Sequence, residues 1–227
     1  MNPVARALRR AGRDNPLLDL PSDVDGVPSD AFDARALIDA VAATHRTRER
    51  RVAASLTVLG YSARLLGPTV ALLVRDGIVL DVRPANVRYS YTAERGMRLS
   101  LPVPTALHAE PAALVQQWAS TVVDAHLAPI LAGVLAEAPV AAALLWGNVA
   151  SGLVGALRAV ARPDTFDLGV SLLDHGPLRE SGVLQRDGLR FTRRSCCLYY
   201  RLPGGGLCGD CALAPGARER LRGGGTR

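Results

Sequence analysis

The chain has 227 residues, 48% hydrophobic and 4% aromatic, and a formal net charge of +6. That apolar share excludes disorder throughout and suffices for one core, or one core plus a small module. All 27 basic side chains are arginine, and nine of them fall in residues 186–227 against Asp187, Asp210 and Glu219, so the positive field belongs to the C-terminal end. Such a field suits an anionic ligand, an acidic protein partner or nucleic acid.

Met1 to Arg10 carries charge with no apolar run behind it, so no secretory or twin-arginine signal is expected and the compartment reads as cytoplasmic. Residues 1–28 hold Pro3, Pro16, Pro21 and Pro28 without a sustained period and read as an irregular arm. A mainly helical body follows over residues 29–185. Its first helix covers Ala31 to Thr44 with Ser29 as N-cap, and its second covers Thr47 to Leu66 and stops at Gly67-Pro68. The period then changes. Ile78 to Val82, Val87-Tyr89-Tyr91 and Met97-Leu99-Leu101-Val103 read as a small antiparallel meander over about 78–103, its last two strands joined around Ala93 to Gly96.

Helical spacing returns after Pro111, with Leu114, Trp118, Val122 and Ala125 on one face and Pro129 dividing the segment. Ala138 to Leu157 has no charge and reaches spanning length. Its Pro139, Gly147, Asn148, Ser151, Gly152 and Gly155 favour a buried core helix, and no transmembrane segment is expected. Inside it, Trp146-Gly147-Asn148 sets a ring and an amide in an apolar run; a core Trp and a hydrogen-bonded core Asn are weighed against a contact to ligand. Asp167 to Leu173 reads as a strand, Asp187-Gly188 as a hairpin turn, and 216–227 as a flexible tail. The fold class is α+β.

All four cysteines lie in 186–215, as Cys196-Cys197, ten residues, then Cys208-x2-Cys211. In a reducing compartment such a cluster favours metal or redox chemistry over disulfides. Adjacent thiols in an extended strand point to opposite faces, so both reach one centre only across a kink. Zinc sites space paired cysteines by two to four residues, which counts against zinc at Cys196-Cys197. A 2Fe-2S cluster spreads four thiolates over two irons and accepts such neighbours more easily. Pro203 to Gly206 supplies the return. Gly204 to Gly209 formally satisfies G-x-G-x-x-G but lacks a βαβ unit. His45, His108, His126 and His175 are scattered and lack a Rieske pairing.

The spacing Cys-Cys-x10-Cys-x2-Cys resembles that of the FhuF-like ferric-siderophore reductases, and Trp146-Gly147-Asn148 is similar to a recurrent element of that family. The resemblance implies a 2Fe-2S cluster on Cys196, Cys197, Cys208 and Cys211. It further implies one-electron reduction of ferric iron chelated by a siderophore, often of hydroxamate type, with release of ferrous iron. No internal flavin or nicotinamide site is identified, so an external donor, a ferredoxin or flavin reductase, would supply electrons. Arg193, Arg194 and Arg201 beside the thiols could raise the cluster potential and steer a partner, or form an ordinary solvated face. Arg193, Arg194, Arg201, Trp146 and Asn148 are the candidates for steering substrate or partner. Two rivals stand beside this reading: an iron-sulfur carrier or sensor without siderophore turnover, and a four-cysteine zinc module binding nucleic acid. The zone lacks aromatic interleaving beyond Tyr199 and Tyr200, so nucleic acid is not expected.

Overall fold

The computed structural model describes all residues except Met1, Val24, Asp164 and 224–227. It is α+β, as the sequence indicates. Helices α1 (Pro3–Asp14), α2 (Ala34–Thr44) and α3 (Arg50–Asp76) come first. A continuous helical stretch follows, made of α4 (Leu114–Ala119), a π-helical segment (Ser120–Leu127) and α5 (Ala128–Glu137). Then come α6 (Ala142–Val160), α7 (Thr165–Leu173) and α8 (Ala217–Gly223). The strands are β1 (Val27–Pro28), β2 (Val79–Leu80), β3 (Arg88–Thr92), β4 (Gly96–Ser100), β5 (Ala106–Leu107), β6 (Gly182–Gln185) and β7 (Arg190–Arg193).

The centre is the pair α3 and α6, running in the same direction. Asn148 meets Ser55, Gly152 lies under Ala63 and Leu66, and the Val160 carbonyl meets Arg75. On α6, Leu145, Val149, Leu153, Ala156 and Val160 form the buried seam expected of Ala138 to Leu157. Three helical stretches, Arg50–Asp76, Pro111–Glu137 and Ala142–Val160, are long and apolar enough to cross a membrane. Here α3 and α6 turn their apolar faces onto each other.

Several elements differ from the sequence reading. Residues 3–14 are helical, not an irregular arm: Asn2 accepts from the Val4 N–H at 2.8 Å, and Pro3 starts the first turn. Val4, Ala7, Leu8 and Ala11 then face the core at spacings of three and four. The N-cap of α2 is Asp33, accepting from Ala36, while Ser29 is buried against the Tyr61 hydroxyl at 2.7 Å. Helix α3 does not stop at Gly67-Pro68 but runs to Asp76, closing at Gly77 with φ +62°. An interior proline costs about 3 kcal/mol. Burying Val70, Leu72 and Leu73 beyond it returns about 1.5–3 kcal/mol each, so continuation wins. Gly67 lets the Leu17 carbonyl lie on the helix, since a Cβ there would stand 2.0 Å from that oxygen.

The β3–β4 hairpin forms as expected, with Tyr89 opposite Leu99 and Tyr91 opposite Met97. Its outer neighbour is β1, whereas β2 pairs with β5, so Ile78 to Val82 is not part of the meander. Pro102 and Pro104 end the alternation, leaving Val103 69% exposed. In the π-helical segment the wider turn brings His126 inward and leaves Ala125 exposed, breaking the face read from Leu114. Residues 167–173 belong to α7 and not to a strand. The first part of the expected tail is α8, and 224–227 lie outside the described residues.

Candidate metal centre

The hairpin β6–β7 turns at 186–189, where Gly188 has φ +59°, and β7 leads directly into the cysteines. Arg194 N–H donates to the Ser181 carbonyl at 2.9 Å, the last tie before the chain leaves the hairpin. The kink that adjacent thiols require follows Cys197: Leu198 adopts the left-handed region with φ +65°, and a short 3-10 turn, Tyr199–Arg201, comes next. The return over Pro203 to Gly206 is tight. A Cβ on Gly205 would stand 2.2 Å from the Tyr199 carbonyl oxygen, so a larger residue would push the two cysteine pairs apart.

The four thiols are free; Cys197 and Cys211 are buried, while Cys196 and Cys208 are half-buried. Cys197 Sγ and Cys208 Sγ stand 3.6 Å apart. Two ligands of a tetrahedral ion with metal–sulfur bonds of about 2.3 Å lie about 3.8 Å apart, so these two could share one metal. Among the described residues no three His, Cys, Asp or Glu side chains group around a single ion. Leu198 N–H donates to Cys196 Sγ and Leu213 N–H to Cys211 Sγ, each at 3.3 Å, a pattern that stabilises negative sulfur.

The hydrogen bond between the Cys197 and Cys208 thiols draws Cys197 well below the usual thiol range and pushes Cys208 up, so the pair shares one proton. Burial pushes Cys196 up, and the charges of Cys197 and Cys211 add to that against the Leu198 N–H. Arg193 favours the thiolate at Cys196, Cys197 and Cys208.

Arg193 is the unexpected element. It is 1% exposed, its Nη2 donates to Asn148 Oδ1, and its Nε has no hydrogen-bond partner. No carboxylate pairs with it among the described residues. Burying an unpaired charge costs several kcal/mol, so a guanidinium held there calls for a counter-anion, and the neighbouring sulfurs are the groups that can supply it.

Helices α3 and α6 clamp this segment. Asn148 Nδ2 donates to the Ser55 carbonyl at 2.8 Å and lies 3.0 Å from Ser55 Oγ, which itself donates to the Cys197 carbonyl at 2.6 Å. Ser151 Oγ donates to Asp210 at 2.6 Å, Arg158 reaches the same carboxylate at 3.2 Å, and the Asp210 carbonyl accepts from Arg193 N–H. A Cβ on Gly147 would stand 2.3 Å from Ser195 Oγ, so the glycine lets the cysteine strand lie on α6. The whole Trp146-Gly147-Asn148 run thus lies under the thiol segment.

The steering candidates separate accordingly. Asn148 is fully buried, so it holds Arg193 and cannot touch a substrate. Arg193 is not part of a solvated ring. Arg201 is tied to Glu49 at the start of α3, at 2.8 Å to both oxygens, and this hydrogen bond holds the Glu49 carboxyl below its usual range. Arg194 is exposed and Trp146 half-buried. Sequence reasoning missed Ser55, Ser151, Arg158 and Asp210; for Ser151 the signal was present as a polar residue in an apolar helix. Of the histidines, His126 is in the core, His175 pairs with Asp124 and His108 with Glu110.

Thiolates backed by N–H donors and a buried cation meet the needs of an iron-sulfur oxidoreductase, and that is the class this fold and site define. Residues 58–196 match the family described as ferric iron reductase FhuF-like transporter, and residues 193–213 match the FhuF 2Fe-2S C-terminal domain. The chain belongs to this FhuF-like family, and its cofactor is a 2Fe-2S cluster. It is 26% identical over 179 residues to the ferric siderophore reductase of Escherichia coli (strain K12), covering 73% of this chain and 67% of that protein. All four cysteines fall within the matched 193–213.

Proposed function

We propose that the protein is a ferric-siderophore reductase. It passes one electron from its 2Fe-2S cluster to ferric iron held by a siderophore of hydroxamate type and releases ferrous iron. Cys196, Cys197, Cys208 and Cys211 would be the ligands, and the 3.6 Å between Cys197 Sγ and Cys208 Sγ would let these two share one iron. The observation that carries this reading is the buried Arg193, which has no carboxylate partner among the described residues and whose charge acts on Cys196, Cys197 and Cys208.

When bound, the cluster supplies a one-electron couple near the surface. Hard oxygen chelators hold ferric iron far more strongly than ferrous iron, so one electron suffices to loosen the complex. Arg193 balances the sulfur charge and favours the more negative, reduced form. Ser55, Asn148, Ser151, Arg158 and Asp210 fix the segment so that Cys196 and Cys208 stay on its outer side. Electrons come from an external ferredoxin or flavin reductase, drawn by the arginine-rich end. The reaction belongs in the cytoplasm, where freed ferrous iron is used.

Anaerobically purified protein is expected to be red-brown, to bleach on dithionite, and to regain its colour on addition of a ferric trihydroxamate. Colourless protein holding one zinc per chain would overturn the reading. A cluster that bleaches but is not reoxidised by any ferric chelate would make the protein a carrier or sensor.

A further inference from the structure

The largest of the described surface clefts, about 650 Å³, opens beside the thiol segment. Trp146 and Ala143 of α6 line it together with Pro177, Ser181, Arg194 and Ser195. The cleft is built, not incidental. Ser195 Oγ donates to the Ala143 carbonyl at 3.1 Å, and Arg194 N–H donates to Ser181, so Ala143 and Ser181 are both tied to the chain that carries the cysteines.

Three features mark it as a ligand site. Its volume lies within the roughly 300–1,000 Å³ that small-molecule sites occupy, whereas the cleft on the other side of the cysteine segment, at His45 and Tyr199, is about 290 Å³. Its walls join a half-buried indole and proline to a few charges. Of these, Arg179 is paired with Asp174 at 2.7 Å, while the exposed Arg194 has no acidic partner among the described residues and stands with Glu180 in the lining. The local charge is therefore close to balanced, which suits ferric iron neutralised by three singly charged hydroxamates better than a tris-catecholate of charge −3. Ser195, which lines the cleft, directly precedes Cys196, so the cleft borders the segment that carries the thiols, with the Cα atoms of the two residues about 3.8 Å apart.

We propose that this cleft seats the ferric chelate, with Trp146 and Arg194 in its lining, next to the segment that carries Cys196. The assignment rests on the reductase reading. In the step it serves, one electron leaves the reduced cluster and iron(III) becomes iron(II), with no covalent bond of the protein formed or broken.

The test uses cluster-loaded protein and gallium(III) ferrichrome, a trihydroxamate complex of the same charge that cannot accept the electron, with calorimetric titration as the readout. Ala143→Phe, which fills the cleft from an exposed position, and Arg194→Glu are each expected to weaken binding at least tenfold. They should also slow reoxidation of the reduced protein by ferric ferrichrome to the same degree, with cluster absorption unchanged in both and the reduction potential unchanged in Ala143→Phe. His45→Ala, in the smaller cleft, should leave both values alone. Wild-type affinity and wild-type reoxidation rate in Ala143→Phe would remove the cleft while leaving the reductase intact. Absence of binding and of reoxidation in the wild type would remove the reductase reading itself.

Discussion

Replacing Arg193 with Met removes a buried charge while keeping most of the aliphatic stem, and the structure sets the sign and size of the result. Arg193 stands three residues before Cys196, which bounds the separation at about 10 Å along an extended chain. At an effective dielectric of about 20, a unit charge at that distance contributes about 1.7 kcal/mol. Reduction adds one negative charge to the cluster, so losing the cation lowers the potential by roughly 70 mV at 59 mV per tenfold. The assay is a dye-equilibrated redox titration of the visible bands, with Arg194→Met as comparison. Arg194 is exposed and screened, and its removal should move the potential by no more than about a third as much. Cluster-free protein gives a second, opposite sign: there the guanidinium lacks its counter-charge, so Arg193→Met should unfold at equal or higher urea than the wild type. A fully loaded Arg193→Met protein with unchanged potential would refute the counter-charge argument, as would an equal shift in Arg194→Met.

Four further outcomes follow from the same geometry. Gly147→Ala places a methyl 2.3 Å from Ser195 Oγ and should lower iron and sulfide per chain, with partial recovery when Ser195→Gly is added. Asn148→Leu strips Arg193 of its side-chain acceptor and leaves Ser55 without its amide, at a cost of about 2–3 kcal/mol in urea unfolding. Cys→Ser at 196, 197, 208 or 211 should remove or reshape the charge-transfer bands, measured against iron content. His126 supplies the pH dependence. Burial lowers it from 6.5 to about 4 in the folded protein, so between those values the unfolded chain binds more protons. The stability from this group is complete above pH 6.5 and is lost as the pH falls toward 4, on the order of 3 kcal/mol. The urea midpoint should drop between pH 7.5 and 4.5, and His126→Gln should flatten that drop.

The 2Fe-2S segment was the most legible part of the chain, because cysteine spacing and glycine placement are local properties. The β3–β4 and β6–β7 hairpins were legible for the same reason, through alternation and turn residues. Where long-range burial outweighs a local signal, the reading failed. Pro68 marks a helix end by local rules, yet the apolar run beyond it keeps α3 continuous. The four prolines of 1–28 concealed the Asn2 cap and the Val4, Ala7, Leu8, Ala11 face. The π-helical turn at His126 shifts the buried face by a residue, which no fixed period anticipates. Arg193 and Arg194 look alike as neighbours in sequence; only the packing of β7 on α6 buries one and exposes the other. Ser55 carries no sequence signal at all, since a serine on a helix is ordinary until it meets the Cys197 carbonyl.

The central claim is most directly tested by a single turnover. Cluster-loaded protein is reduced with one equivalent of dithionite electrons, freed of excess reductant, and mixed anaerobically with a ferric trihydroxamate and a chromogenic ferrous trap. One trapped iron(II) for each cluster that regains its oxidised spectrum is the expected result. A cluster that stays reduced while the chelate remains ferric would contradict the account.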